Sequence, residues 1–212
     1  MESRRLFFGR KRLKLLSRVM NRVTAYRLWQ APFAEKKLEP LRRHNDVSAI
    51  RRVLDVGCGP GTNTRHFAHA DYLGLDINPR YITYARRVHE REFVVTDVRK
   101  YDSPTGAKFD FILVNSFFHH VDLDGTRRIL SHLGTLLTDD GHIHILDLVM
   151  PDRPGLPRSL ARWDRGEYPR ELEEWRQIFC EAFEPVVFEH YPVGLFGVTL
   201  WSMVYFKGKR RN

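Results

Sequence analysis

Apolar residues along this 212-residue chain recur with two different periods, and the change of period organises the sequence. From Leu13 they fall at Leu13, Leu16, Met20 and Val23. Leu15 and Val19 widen the stripe and arginines and lysines fill the rest, which predicts a basic amphipathic helix. A second helix is expected around Glu35 to His44, after "WQAPF". From Arg51 short apolar runs take over. "RRVLDV", "DYLGLD", "EFVVTD", "KFDFILVN" and "GHIHILDLV" read as five buried strands, with Asp76, Asp97 and Asn115 ending the second, third and fourth. The helical period returns between them at Thr62 to Ala70, from Pro79 to about His89, and from Asp124 to about Leu137. Proline suits the first turn of the second of these.

Strands that alternate with helices indicate a parallel sheet covered on both faces. The pattern then breaks. "MPDRPGLPRSLARWDRGEYPR" carries four prolines and is expected to be a lid-like insertion with a short helix, centred on residues 151–168. Arg170 to Phe183 reads as a helix. "PVVFEHY" and "TLWSMVYFKG" follow as strands, and the link between them is too short for a parallel crossover, so they should pair antiparallel. The expected architecture is an α/β, Rossmann-like, seven-stranded and mostly parallel sheet. Its last strand is antiparallel, helices lie on both faces, and a helical cap over residues 1–45 precedes the domain of residues 46–212.

Charge changes this picture at the ends only. The net charge is +9, yet the first 22 residues hold eight cations against Glu2, and Lys207, Lys209, Arg210 and Arg211 close the chain. Without those two segments, 23 cations face 25 acids, so the body carries no polyanion-binding excess. The basic ends suit an anionic membrane surface, nucleic acid or an acidic partner. Cys58 and Cys180 stand far apart and suggest free thiols, with no disulfide-linked partner. No run reaches the eighteen or so apolar residues of a spanning helix. "SRRLFF" resembles the head of an export signal, but Lys11, Arg12, Lys14 and Arg18 interrupt the apolar stretch such a signal needs. The expectation is a cytoplasmic protein with peripheral membrane contact at most.

The candidate chemistry centres on "DVGCGPGTNT", Asp55 to Thr64. Ligands of open parallel sheets bind at the carboxyl ends of the strands, where the glycine loop, Asp76, Asp97, Asn115 and Asp147 should gather. The Gly-Lys-Ser/Thr ending of a phosphate loop is absent. Gly57, Gly59 and Gly61 are spaced one residue more tightly than a dinucleotide loop requires. Asp76, about twenty residues on, suits a ribose diol, and Asp97 an exocyclic amine. "VLDVGCGPGTNT", "YLGLDINP", "FVVTDV", "FDFILVNSFFHHVD" and "LLTDDGHIHILDLV" together resemble the class I S-adenosylmethionine-dependent methyltransferases, over roughly Arg51 to Lys207.

That resemblance implies S-adenosylmethionine as cofactor and roles by position. The three glycines and Cys58 would line the methionyl and ribose parts, with Asp55 near the amino group. Asp76 would take both ribose hydroxyls, beside Ile77. Asp97 would accept from the adenine amine, Val98 would offer its backbone N–H, and Asn115 would end the strand whose loop faces the sulfonium. His119 and His120 follow the fourth strand and are the candidate bases; histidine titrates near neutral pH. The alternative for either is a packed histidine that bonds backbone. "FFHH" resembles methylases of small or lipophilic molecules, which implies a small-molecule acceptor, with O-methylation favoured. Tyr26, Trp29, Trp163 and Tyr168 are the candidate pocket aromatics. No metal site is expected. The rival readings are an RNA methyltransferase gripping through the basic ends, and a cofactor-binding protein without turnover; nucleic acid is the less favoured partner.

Overall fold

The computed structural model describes Phe33, residues 35–163, 167–195 and 197–211, without the side chains of Arg162 and Trp163. The basic helix expected from Leu13 and the aromatics Tyr26 and Trp29 lie outside the described residues, as does the Trp163 side chain. The chain forms two compact units, Met1–Lys36 and Lys37–Asn212, and the second holds everything that follows.

Seven strands form one sheet: β1 Arg52–Val56, β2 Asp71–Asp76, β3 Glu92–Val95, β4 Phe109–Asn115, β5 Leu137–Leu148, β6 Phe183–Leu195 and β7 Val198–Arg210. Their order is β3-β2-β1-β4-β5-β7-β6. The β1, β2, β3, β4 and β5 neighbours pair parallel, while β7 runs antiparallel to both β5 and β6. This is the expected architecture. The order reverses at β1, so β1 and β4 diverge at the centre, which is where such sheets hold ligands.

The helices are α1 Glu39–Arg43, α2 Pro79–Val88, α3 Leu123–Leu136, α4 Leu156–Trp163 and α5 Leu172–Ala182. Asn78 caps α2 through Arg80 N, and Asp122 caps α3 through Gly125 N. Side chains alternate along each strand, so one face presents Leu54, Val56, Ile112, Val114, Ile143, Ile145, Val204 and Phe206 to α3 and α5. Leu130, Leu133, Trp175 and Phe179 fill the space between, all fully buried. The opposite face carries Phe93, which the α2 side covers: Arg86 bonds the Phe93 carbonyl and His89 packs on its ring. It also holds a stack in which His144 lies 3.8 Å from Phe111, its Nδ1 3.0 Å from the Tyr205 hydroxyl. The "HIH" histidine His144 is thus a packed core residue.

Two expectations need correction. The helix expected from Thr62 to Ala70 is a single 3-10 turn, Thr64–Phe67. Asn63 precedes it but provides no side-chain cap, because its amide is turned onto Asp55. Without that cap, and with three-residue bonds His66 N to Asn63 O and Ala70 N to Phe67 O, an α-helix is not nucleated. The third strand ends at Val95 rather than Asp97, because Asp97 turns to cap Val98–Lys100. The last two strands are longer than their apolar runs. They close through a hairpin in which a Cβ on Gly194 would stand 1.9 Å from the Val198 carbonyl oxygen, so only glycine fits.

Candidate active site

The glycine loop leaves β1 at the switch point. Gly57 has φ +68° and Gly61 φ +80°, the left-handed region that glycine reaches without strain. Space demands glycine there too: a Cβ would lie 2.5 Å from Phe117 Cδ2 at the first and 2.7 Å from His89 Cδ2 at the second. The N–H groups of Gly57 and Cys58 both donate to the Leu75 carbonyl, at 2.8 and 3.0 Å. Gly59 N donates to Asp76 Oδ2 at 2.9 Å, and Asn78 N to Oδ1 at 2.7 Å. Each Asp76 oxygen therefore holds one backbone donor and keeps a lone pair for another, as a ribose diol requires. Ile77, next in the chain, is 70% exposed. The Cys58 thiol is buried, and burial followed by Asp55 pushes its pKa up, which makes it packing rather than a nucleophile.

Asp55 is less open than its expected role implies. It is fully buried and takes Tyr72 Oη at 2.5 Å and Asn63 Nδ2 at 3.1 Å. Both donors are neutral. Burial pushes the carboxyl up to about 7; the Tyr72 and Asn63 bonds oppose the shift and Asp76 adds to it. Asn63 Oδ1 accepts from Asn115 Nδ2 at 3.4 Å, and Asn115 Oδ1 accepts from Ser116 Oγ at 3.2 Å. A polar chain thus runs from β2 beneath the glycine loop to the end of β4, and places Asn115 within it. Asp97 is clasped by Arg99, whose Nε lies 3.0 Å from both carboxylate oxygens. The Arg99 bond lowers the Asp97 pKa against a small opposing effect of burial. Asp97 lies two residues past the end of β3, beside the buried Val98, with acceptor capacity beyond this contact.

After β4 the chain turns sharply. Ser116 has φ +55°, the only positive value outside glycine among the described residues. Phe117 lies on the glycine loop, and His119 and His120 occupy a 3-10 turn, Phe118–His120. The two imidazoles stay in contact there, their centroids 4.1 Å apart, but differ in exposure. His119 is buried, its Nδ1 2.5 Å from Asp147 Oδ1, while His120 is exposed. Asp147 also accepts Phe118 N and Leu148 N, each at 2.7 Å. Burial alone would raise its pKa, but His119 and these N–H groups hold it below the usual value. Arg170 donates to the Phe118 and Val121 carbonyls at 3.1 and 2.8 Å and lies 4.8 Å from the Trp175 ring centroid. Tyr168, 40% exposed, donates its backbone N–H to the His119 carbonyl at 3.0 Å. The structure therefore brings Tyr168 to the histidine loop and turns His119 inward. Among the described residues, no three His, Cys, Asp or Glu side chains are placed to hold a metal ion.

Comparison with known proteins agrees with this arrangement. The family model described as a methyltransferase domain matches residues 54–143. A trans-aconitate 2-methyltransferase of Rhodopseudomonas palustris is 26% identical over 163 residues, 72% of this chain and 58% of that protein. A ubiquinone biosynthesis O-methyltransferase of Azorhizobium caulinodans is 28% identical over 159 residues, 63% of this chain and 62% of its own. This chain thus spans less than two thirds of either relative. A plantazolicin methyltransferase, solved with a triazolic desmethylPZN analogue and SAH, shares the fold with a TM-score of 0.67 at 17% identity, covering 89% and 90% of the two chains. Residues 54–143 thus match a methyltransferase domain, within a fold shared with S-adenosylmethionine-dependent methyltransferases.

Several residues of this candidate site had no role expected from the sequence. Asp147 stood out there only as an acid at a strand end. Asn63, Tyr72 and Arg170 did not stand out at all. A tyrosine among the buried residues of "DYLGLD" is the one local signal, since a buried hydroxyl needs a partner. Arg170 gives no signal, because its partners lie 49 and 52 residues away.

Proposed function

We propose that this chain transfers a methyl group from S-adenosylmethionine to a small, lipophilic or natural-product-like acceptor, with a hydroxyl oxygen favoured. The observation that carries the reading is the Asp76 carboxylate, tethered by Gly59 and Asn78 under the glycine loop with one acceptor site left on each oxygen. Asp76 would hold the ribose hydroxyls, Ile77 would pack on the adenine, and Asp97 with Val98 would meet its amine edge. The loop glycines would admit the methionyl part, with Asp55 and Asn115 beneath it.

Bound S-adenosylmethionine supplies a methyl group already activated by its sulfonium. The chain's task is then to hold the acceptor oxygen in line and keep water out. Orientation of this kind contributes on the order of 7–11 kcal/mol in favourable cases. As the oxygen–carbon bond forms and the carbon–sulfur bond breaks, the hydroxyl proton must leave. His120, exposed on the loop after β4, would be the imidazole to take it, since His119 is bonded to Asp147. Tyr168 would form part of the acceptor wall, with Trp163, Tyr26 and Trp29 as the further aromatic candidates and residues 151–168 as the lid. The names of the relatives, acting on trans-aconitate, in ubiquinone biosynthesis and on plantazolicin, support a small acceptor.

Peripheral contact with an anionic membrane through the basic ends is part of the same reading. No described helix is long and apolar enough to cross a membrane. Titration calorimetry tests the cofactor: S-adenosylmethionine and S-adenosylhomocysteine should bind and NAD should not, and the reverse result sinks the reading. Turnover with extracted small molecules, read by mass spectrometry as a gain of one methyl, then identifies the acceptor.

A further inference from the structure

We propose that a groove at the foot of the sheet, at the end remote from the glycine loop, binds a small soluble ligand carrying phosphate groups. β4 begins beside Lys108, and β7 runs antiparallel to β5, with Lys209 opposite His142. Lys108, Arg210 and Arg211 therefore meet where the parallel strands start. With Arg127 of α3 they line a groove of about 680 Å³, against Glu181 as its one acid. That volume suits an organic ligand of ordinary size.

The partners of these cations leave their charge available. Lys108 Nζ donates to the Thr135 carbonyl and Arg211 to the Cys180 carbonyl. These are last-turn carbonyls of α3 and α5, whose negative helix ends would otherwise repel an anion. A carbonyl partner leaves the full positive charge in place. Arg127 pairs with Glu181 at 3.1 Å and Arg210 with Asp139 at 2.7 Å, but both acids are more than half exposed. Such pairs are weak and screened by water, so a multiply charged phosphate can displace them. The guanidinium fork matches phosphate oxygens in pairs. Leu130, Ile178 and Phe183 close the floor from the core side, so the cations on the walls supply the binding surface. Cations around a concave groove fit a discrete molecule better than a flat bilayer surface.

Inorganic pyrophosphate is the probe. Calorimetry on the full chain should show binding that sulfate at equal ionic strength does not reproduce. Lys108→Gln with Arg211→Gln keeps a donor for each carbonyl and should weaken pyrophosphate association at least about tenfold. S-adenosylhomocysteine affinity should stay unchanged in the same variant, which shows that the domain is intact. Equal binding of sulfate, no pyrophosphate heat, or an unchanged affinity in the variant overturns the proposal. So does flotation with phosphatidic acid vesicles that the variant loses while pyrophosphate fails to bind, since the groove would then be a membrane contact.

Discussion

Nδ1 of His119 lies 2.5 Å from Oδ1 of Asp147, with both side chains buried behind the acceptor-side loop. A contact across 28 residues fixes how the chain leaves β4. It also separates two adjacent histidines into a structural one and an accessible one. His119→Ala leaves a carboxylate buried with backbone partners alone. Loss of one partner in such a pair costs about 3–5 kcal/mol, roughly 10 °C of melting temperature for a domain of this size. His120→Ala should melt like the parent and lower turnover of a hydroxyl acceptor by about 10²–10⁴-fold. Differential scanning calorimetry and a turnover assay check both. If His120→Ala turns over normally, no base is needed and positioning alone carries the reaction.

Asp76→Ala removes the acceptor for the ribose diol together with the tether on Gly59. Cofactor affinity should fall by roughly 1.5–3 kcal/mol for each charge-assisted bond lost. Calorimetry with S-adenosylhomocysteine measures it; an unchanged affinity contradicts the assignment.

Asp55 should make stability depend on pH in an uncommon direction. Its folded pKa, about 7, lies above the usual carboxyl value. The folded state then holds a proton that the unfolded state gives up. This stabilisation is complete below about pH 4 and is lost as pH rises through 7. Asp55→Asn should flatten the chemical-denaturation slope between pH 5 and 8. Bound S-adenosylmethionine, a cation, should favour ionised Asp55. Calorimetry near pH 7 in buffers of different ionisation enthalpy should report up to about half a proton released, and none in Asp55→Asn.

His144 acts in the opposite sense. Burial, then Lys207 and His142, holds its pKa well below the ordinary value. The folded state keeps it neutral, so its contribution is complete above about pH 6.5 and is lost as pH falls below that. His144→Phe should reduce acid sensitivity between pH 6.5 and 5 in denaturation curves. If the slope is unaltered, another group governs it.

Full-length protein is expected to float with anionic vesicles and not neutral ones, and deletion of residues 1–12 should reduce flotation. Each cation near such a surface contributes about 1 kcal/mol before screening by salt. Protein that stays unbound at low salt removes the membrane reading.

The sheet was legible because each buried strand is a short apolar run bounded by turn residues, and because a seven-residue link permits only an antiparallel return. The glycine loop and Asp76 were legible for a similar reason: their constraints are local, a positive φ at Gly57 and an acid at a strand end. What stayed hidden depends on distant partners. Asn63 carried no signal in the sequence, and only the fold turns its amide onto Asp55. His119 and His120 are chemically alike in sequence, and only a turn aimed at Asp147 tells them apart. Asp97 was expected as a ligand acid, and the structure also makes it the cap of the turn Val98–Lys100.

The position of β7 bears on how the protein is made. It is the last of the seven described strands to leave the ribosome, yet it lies between β5 and β6. Until Val198–Arg210 has emerged, β5 and β6 each have an unpaired edge, with Ile143, Ile145 and Phe188 awaiting cover. A nascent chain stopped at Gly197 therefore displays two open edges of the kind that recruit other chains. Translation must run almost to residue 210 before the newborn sheet can protect itself, so its aggregation-prone interval lasts until β7 has emerged.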